Sequence, residues 1–155
     1  LALDFEVVCC DPREEYHLTW DVPGTTFSKE MPDDLVLQLQ LDPHSAVVAL
    51  THDPKRGDTA VAEGRKSPAF YIGALGSRGN TAARKQRLAL FDLAPAEIER
   101  LHGPVGLDLG GKTPAEIAVS IAAEIVAVKN GVALMQKKDG SAVPASSGVC
   151  VVSAR

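Results

Sequence analysis

Cysteine is scarce and oddly numbered in this chain: there are three, Cys9, Cys10 and Cys150, and two are adjacent. Sequence neighbours seldom bridge, so the set excludes a disulfide framework and points to a reducing cytoplasm. No His/Cys spacing has the form of a zinc site. No apolar run approaches the about 20 residues that cross a bilayer, and the N-terminal LALDFEVV lacks the basic flank and cleavage site of a secretory signal. No membrane role is expected. Positive charge is not in excess either. Sixteen Lys and Arg stand against 20 Asp and Glu, a net charge of −4. That removes any global case for nucleic acid, so an anion site has to be a local cluster. A GxSxG nucleophile elbow is missing as well. What remains, 155 residues with 45% hydrophobic and 23% charged side chains, is ordinary for one soluble domain with a real core.

Strands alternate with helices along the chain. FEVVCC (residues 5–10) reads as a buried strand stopped by Asp11-Pro12-Arg13. Residues 14–32 lack periodicity and read as loop, followed by a short helix over Leu35–Leu41 behind Asp33 and Asp34. AVVAL (46–50) is a second strand, running into Thr51-His52-Asp53-Pro54, and a short helix over Asp58–Glu63 closes at Gly64. AFYIGAL (69–75) is a third strand. It passes into Gly76-Ser77-Arg78-Gly79, and a helix capped by Asn80 or Thr81 runs on to about Phe91, with Leu88 and Phe91 inside and Arg84, Lys85 and Arg87 outside. A short helix over Ala94–Leu101 and a final strand over Pro104–Leu109 complete the pattern. Continuous apolar strands between helices predict an α/β, Rossmann-like fold, a largely parallel sheet with flanking helices, over residues 1–131. Residues 132–155 form a C-terminal tail, linker-like around SAVPASSG, with Val149–Val152 able to pair at a sheet edge.

The best-signalled helix starts at Thr113. Thr113 is a hydroxyl cap, Pro114 takes the first helical position, and Glu116 completes a capping box. Ile117, Ile121, Ile125 and Val128 share one face, and Glu116, Ser120, Glu124 and Lys129 mark a narrow polar stripe. The preceding GLDLGGKT (106–113) matches the P-loop pattern GxxxxGK[ST]. Pro114 disfavours a helical Thr113, however, and so places that residue outside the helix as a cap. A nucleoside-triphosphatase reading fails on that ground. An anion loop at a helix start and a glycine-dependent turn both remain open.

In open parallel sheets ligands bind beyond the carboxyl ends of the strands. Those ends deliver Asp11 and Arg13; Thr51, His52 and Asp53; Gly73, Gly76, Ser77 and Arg78; and Asp108, Gly110, Gly111 and Lys112. Gly76-Ser77-Arg78, between a strand and a helix, suits a phosphate, or is a plain glycine turn. Asp11 has the position of an acid that holds a ribose hydroxyl in dinucleotide folds, or ends its strand in an Asp-Pro turn. His52 beside Asp53 is a ligand, a base or the opening of a turn. No catalytic pair and no metal set stands out. One element is missing: no glycine-rich first strand precedes FEVVCCDPR, although that strand is central in the order 3-2-1-4-5-6. Residues upstream of Leu1, a rearranged topology or a strand borrowed from a partner would each fill the gap.

CCDPR, THDP, AFYIGALGSR and PVGLDLGGKTPAEIAVSIAAEIVAV together resemble the C-terminal half of the XdhC/CoxI family, the xanthine dehydrogenase accessory factors. The resemblance runs from about Phe5 to Gly131, roughly four fifths of the chain. It implies a nucleotide-binding, Rossmann-type domain that binds the molybdenum cofactor (molybdopterin). Such a protein acts as a chaperone while the terminal sulfur of the cofactor is installed and the cofactor is inserted into a client enzyme. A xanthine dehydrogenase-type molybdoenzyme and a cysteine desulfurase are the implied partners, and a homodimer the implied assembly. The family's N-terminal module and the glycine-rich turn with a histidine before the DPR strand are not in this sequence. NAD(P) bound by an oxidoreductase-like domain, with Asp11 on the ribose, is the alternative, and a protein-interaction domain with a vestigial cofactor site is a third reading. The resemblance leaves open whether Cys9 or Cys10 contacts molybdenum.

Overall fold

The computed structural model describes residues 2–51, 53–134 and 149–154. Strands β1 (Phe5–Cys10), β3 (Ser45–Ala49) and β4 (Tyr71–Ala74) form where the apolar runs predicted them. Between them lie helices α1 (Glu14–Thr19), α2 (Pro32–Gln38) and α3 (Pro54–Lys66), with strand β2 (Thr25–Ser28) after α1. Helices α4 (Arg78–Leu88), α5 (Pro95–Glu99) and α6 (Pro114–Lys129) follow, and β5 (Val149–Ala154) comes last.

The five strands form one sheet in the order β2-β1-β5-β3-β4. β1 pairs with β2 and β3 with β4 in parallel, whereas β5 runs antiparallel to both β1 and β3. The sheet expected without its first strand therefore has no gap. The chain's own last strand fills the slot between β1 and β3, with Val8 opposite Val151 on one side and Val47 opposite Val151 on the other. This corrects the expected edge placement of Val149–Val152. A strand paired on both sides leaves no ladder of open N–H and C=O groups in the middle of the sheet, which is what an unfilled slot would do. The linker-like stretch 135–148 lies outside the described residues.

Side chains leave β3 and β4 alternately to two faces. Val47, Ala49, Ile72 and Ala74 join Val61, Leu88, Leu93 and Ile98 under α3, α4 and α5. Ala46, Val48 and Tyr71 join Phe5, Ile121 and Ile125 under α6. Each fully buried Val, Ile or Leu contributes about 1.5–3 kcal/mol of transfer free energy, which makes these two layers the main support of the fold.

Several boundaries differ from the sequence reading. Residues 14–32 hold α1 and β2, not a loop. β2 is four residues long at a sheet edge, too short to show a period. It is fastened by Trp20, whose indole Nε1 donates to Thr25 Oγ1 at 2.9 Å and whose ring meets Phe27 at 5.1 Å. α3 is longer than expected because Asp53 caps it and Gly64 lies inside it, on the face against Ile72. α4 starts earlier, at Arg78, with Ser77 as its cap. Residues 104–109 form no strand. Among the described residues only a parallel bridge from Gly73 to His102 extends the sheet there, and the chain then turns at Gly106, whose φ of +92° a side chain would strain.

Candidate functional site

Because β1, β3 and β4 are parallel, their carboxyl ends share one rim. About 10 Å separates β1 from β3 across β5, and about 5 Å separates β3 from β4. Asp11 stands at the end of β1, 4% exposed. Its Oδ1 accepts from the Arg13 amide at 3.0 Å and from Arg13 Nε at 2.9 Å, and its Oδ2 accepts from Nη2 at 2.6 Å. Burial pushes this carboxyl up, but the hydrogen bonds and charge of Arg13, helped by Arg56, outweigh burial and hold it below the ordinary carboxylate range. The same pairing raises Arg13, whose guanidinium lies 4.2 Å from the centre of the Tyr16 ring. Asp11 is thus a support for Arg13.

At the end of β3, Thr51 Oγ1 accepts from the Asp53 amide at 3.0 Å. Asp53 in turn accepts from the Lys55 amide at 3.0 Å and pairs with Arg56 at 3.3 Å, so both side chains set the start of α3. His52 lies outside the described residues. Arg56, not among the residues expected from the sequence, joins the rim by pairing with Asp53, and its positive charge helps to hold Asp11 ionised. Beyond β4, Gly76 has a φ of +151°, which suits glycine alone, and Ser77 accepts from the Asn80 amide at 3.1 Å. This turn delivers Arg78 into the first position of α4, where helix amides and dipole favour an anion. Gly73 sits inside β4, away from the turn. A Cβ there would stand 2.7 Å from Val105 and from the Tyr71 ring, so its place is one of close packing.

The loop that resembles a P-loop is organised around an internal anion. Glu116 Oε2 accepts from the amides of Lys112 and Thr113, each at 2.9 Å, and from the Thr113 hydroxyl at 2.9 Å. These bonds, Thr113 first, hold the Glu116 carboxyl below its usual range. Thr113 is extended (φ −82°, ψ 153°) and caps α6, as the capping box predicted. The Lys112 and Thr113 amides and the Thr113 hydroxyl, donors at the helix start, are thus taken by the protein itself. Gly110 has a φ of +72° with open space around it, and the Lys112 side chain is exposed.

Three buried groups that hold this geometry escaped the sequence reading. Arg84, expected outside, is buried. Its Nε donates to Asp58 Oδ1 at 2.8 Å and its Nη1 to the Leu75 carbonyl at 3.1 Å. Arg87 Nε donates to the other Asp58 oxygen at 2.5 Å. A signal existed, since Arg84 lies four residues from the core residue Leu88 and three from Thr81, on one helical face. Glu124 and Ser120, expected on a polar stripe, are buried too. Glu124 Oε2 accepts from the Tyr71 hydroxyl at 2.7 Å and the Gly106 amide at 2.5 Å, with Oε1 3.5 Å from His102 Nδ1. His102 stacks on Tyr71 at 4.4 Å. This cluster fixes the 102–107 segment to α6, which explains why a polar stripe can face inward.

Among the described residues no three His, Cys, Asp or Glu side chains are grouped to hold a metal ion. The Cys10 thiol donates to the Glu30 carbonyl at 3.1 Å. Burial first, then the carboxylates of Asp11, Glu30 and Asp33, push it up to about 12, so the thiol is protonated at neutral pH. No described helix is long and apolar enough to cross a membrane.

Sheet, flanking helices and rim define a Rossmann-like α/β domain. A family model described as the XdhC Rossmann domain matches residues 1–125, and the chain belongs to that family. It is 33% identical over 138 residues to a Bacillus subtilis protein named as a probable xanthine dehydrogenase subunit, covering 87% of this chain and 40% of that protein. It is 30% identical over 108 residues to "Molybdenum cofactor insertion chaperone PaoD" of Escherichia coli, covering 70% of this chain and 32% of that protein. A crystal structure described as a xanthine dehydrogenase from Bacillus halodurans superposes with a TM-score of 0.63 at 26% identity, over 80% of this chain and 35% of that one. The chain therefore spans well under half the length of these relatives.

Proposed function

We propose that this chain is the cofactor-holding part of an accessory protein that binds the molybdenum cofactor and assists its maturation and insertion into a xanthine dehydrogenase-type molybdenum hydroxylase. The observation that carries the reading is the chemistry of the rim. Arg13, Arg56 and the Ser77-Arg78 helix start gather cationic and amide donors along the carboxyl-end rim of the sheet, with no nucleophile–base pair among them. Such donors suit the phosphate that the pterin carries. The Cys10 thiol is buried, protonated and turned to a backbone carbonyl, so it offers the metal no preformed thiolate. The protein's part is to bind and orient the cofactor by its phosphate end, while the cofactor itself carries the redox-active molybdenum. Names of the relatives support the same role.

Binding of NAD(P) is the weaker reading. Asp11 is engaged by Arg13, and an antiparallel β5 stands where a first strand would bring its glycine-rich turn. A cysteine desulfurase as second partner, a homodimer and a cytoplasmic site of action belong to the proposal. Equilibrium titration of one sample with molybdenum cofactor and with NADP tests it. The cofactor binds and the dinucleotide does not. Tight dinucleotide binding without cofactor retention rejects it, and co-purification of the dehydrogenase with neither ligand bound selects an interaction-only domain.

A further inference from the structure

The stretch that leaves β1 is apolar but lies on the surface. α1 buries no residue, so it gains nothing from the core packing that stabilises most helices. Tyr16, Leu18, Trp20 and Val22 are all exposed, Leu18 at 75%. Single apolar residues scattered over a surface are ordinary, whereas four large ones between positions 16 and 22 mark a contact face.

The stretch is fixed in place. Trp20 donates to Thr25 Oγ1 at 2.9 Å and packs on Phe27, and the His17 ring meets Phe27 at 5.6 Å. Arg13, at the rim, is the residue from which α1 starts, and its guanidinium lies over the Tyr16 ring. The apolar face is therefore continuous with the rim. A face already ordered in this way costs little to immobilise on binding.

Charge selects the kind of partner. Residues 14–24 carry Glu14, Glu15 and Asp21 and no Lys or Arg. Lys29 answers Glu14, at 3.2 Å. A second copy presenting the same face would set carboxylates against carboxylates, which disfavours pairing of this face with itself. A protein surface with an apolar centre and Lys or Arg around it is complementary in both respects.

We propose that Tyr16 to Val22, on α1 and the turn after it, form the docking surface for the apoenzyme that receives the cofactor, and that this enzyme meets it with an apolar patch ringed by basic residues. The assignment rests on the proposed function, in which the cofactor leaves the rim for a client enzyme, and the contact of Tyr16 with Arg13 sets the surface beside the point of departure. Tyr16 and Trp20 are the anchors, since aromatic side chains give a large contact area at a low entropy cost.

Trp20 is the single tryptophan of the chain, so incorporation of fluorotryptophan puts one fluorine probe on this face. The probe is a full chain titrated with the xanthine dehydrogenase-type apoenzyme of the same organism, produced without cofactor. The fluorine resonance shifts and saturates, and the affinity falls as salt rises. Leu18→Ser combined with Val22→Ser weakens docking by at least about tenfold, the scale of one buried apolar side chain. Asp21→Lys weakens docking and flattens its salt dependence. All these positions are exposed, and the variants keep the parent's thermal midpoint and its affinity for the molybdenum cofactor. A resonance that the apoenzyme leaves unchanged, or variants that dock like the parent, would overturn the surface. A shift that follows the chain's own concentration without apoenzyme gives the face to a second copy and overturns it equally. Docking by a chain that binds no cofactor supports the surface and rejects the cofactor-holding role, which separates the two proposals.

Discussion

Arg84 reaches Asp58 at 2.8 Å with both side chains buried, and the same guanidinium holds the carbonyl of Leu75, the residue just before the Gly76 turn. One ion pair therefore joins α3 to α4 and fixes the backbone that presents Ser77 and Arg78. Removing Asp58 leaves Arg84 buried without its carboxylate and takes the same carboxylate from Arg87. Asp58→Ala should lower stability by about 3–5 kcal/mol, the usual loss when one member of a buried pair is deleted. Urea denaturation reads this directly, and a loss below about 1 kcal/mol would remove the pair as the support of the turn.

Tyr71→Phe deletes one donor to Glu124 and leaves the carboxylate buried beside the Gly106 amide. A cost of about 1–3 kcal/mol follows from the unsatisfied acceptor. Glu124→Gln should cost less than Tyr71→Phe combined with Gly106→Ala, because the glycine's positive φ and its contact with Ser120 both resist a side chain. Denaturant midpoints of the variants check the order.

Asp11 gives the fold an acid-sensitive contribution. Its folded-state affinity for protons lies below the ordinary value of 3.8, so the carboxylate form is favoured in the folded state. The stabilisation is complete above that value and is lost as pH falls through the lower folded one. Arg13→Gln removes the guanidinium hydrogen bonds and charge that contribute to the shift and keeps the bond from the residue-13 amide. The variant's Asp11 carboxyl, followed by carbon NMR, should titrate at higher pH than in the parent, and an unchanged titration would show that Arg13 is not the cause.

Cys10 behaves oppositely. Its thiol moves up from 9.0 to about 12, so the stabilisation is complete below the ordinary value and is lost as pH rises through about 12. At neutral pH the native protein should react with a disulfide reagent at Cys10 far more slowly than the unfolded chain does. Fast native-state labelling there would contradict the buried, protonated thiol.

The strands of the sheet were legible because β1, β3 and β4 are continuous apolar runs closed by Asp-Pro or glycine. The capped start of α6 was legible because its hydroxyl, proline and glutamate are local. α1 and β2 were not, since a four-residue edge strand carries no period and its fastening by Trp20 and Thr25 is a tertiary contact. The slot taken by β5 was invisible for a related reason: an apolar tail strand does not encode which neighbours it pairs with. At the rim, glycines and Asp-Pro turns announced the strand ends. The engagement of Asp11 by Arg13 and the inward turn of Arg84 and Glu124 depend on partners far along the chain or on side-chain geometry that spacing does not specify.

The measurement that bears most directly on the proposed function is equilibrium binding of the molybdenum cofactor to the full chain and to Arg78→Ala. Arg78 opens α4 at the rim, so its loss should weaken the cofactor by about 10–100-fold, equivalent to about 1.5–3 kcal/mol for a charged hydrogen bond. Asp58→Ala should weaken it through the turn, while Lys112→Ala leaves it nearly unchanged. Retention of full affinity by Arg78→Ala would take the Gly76-Ser77-Arg78 turn out of the site, and tight NADP binding with no cofactor bound would contradict the account.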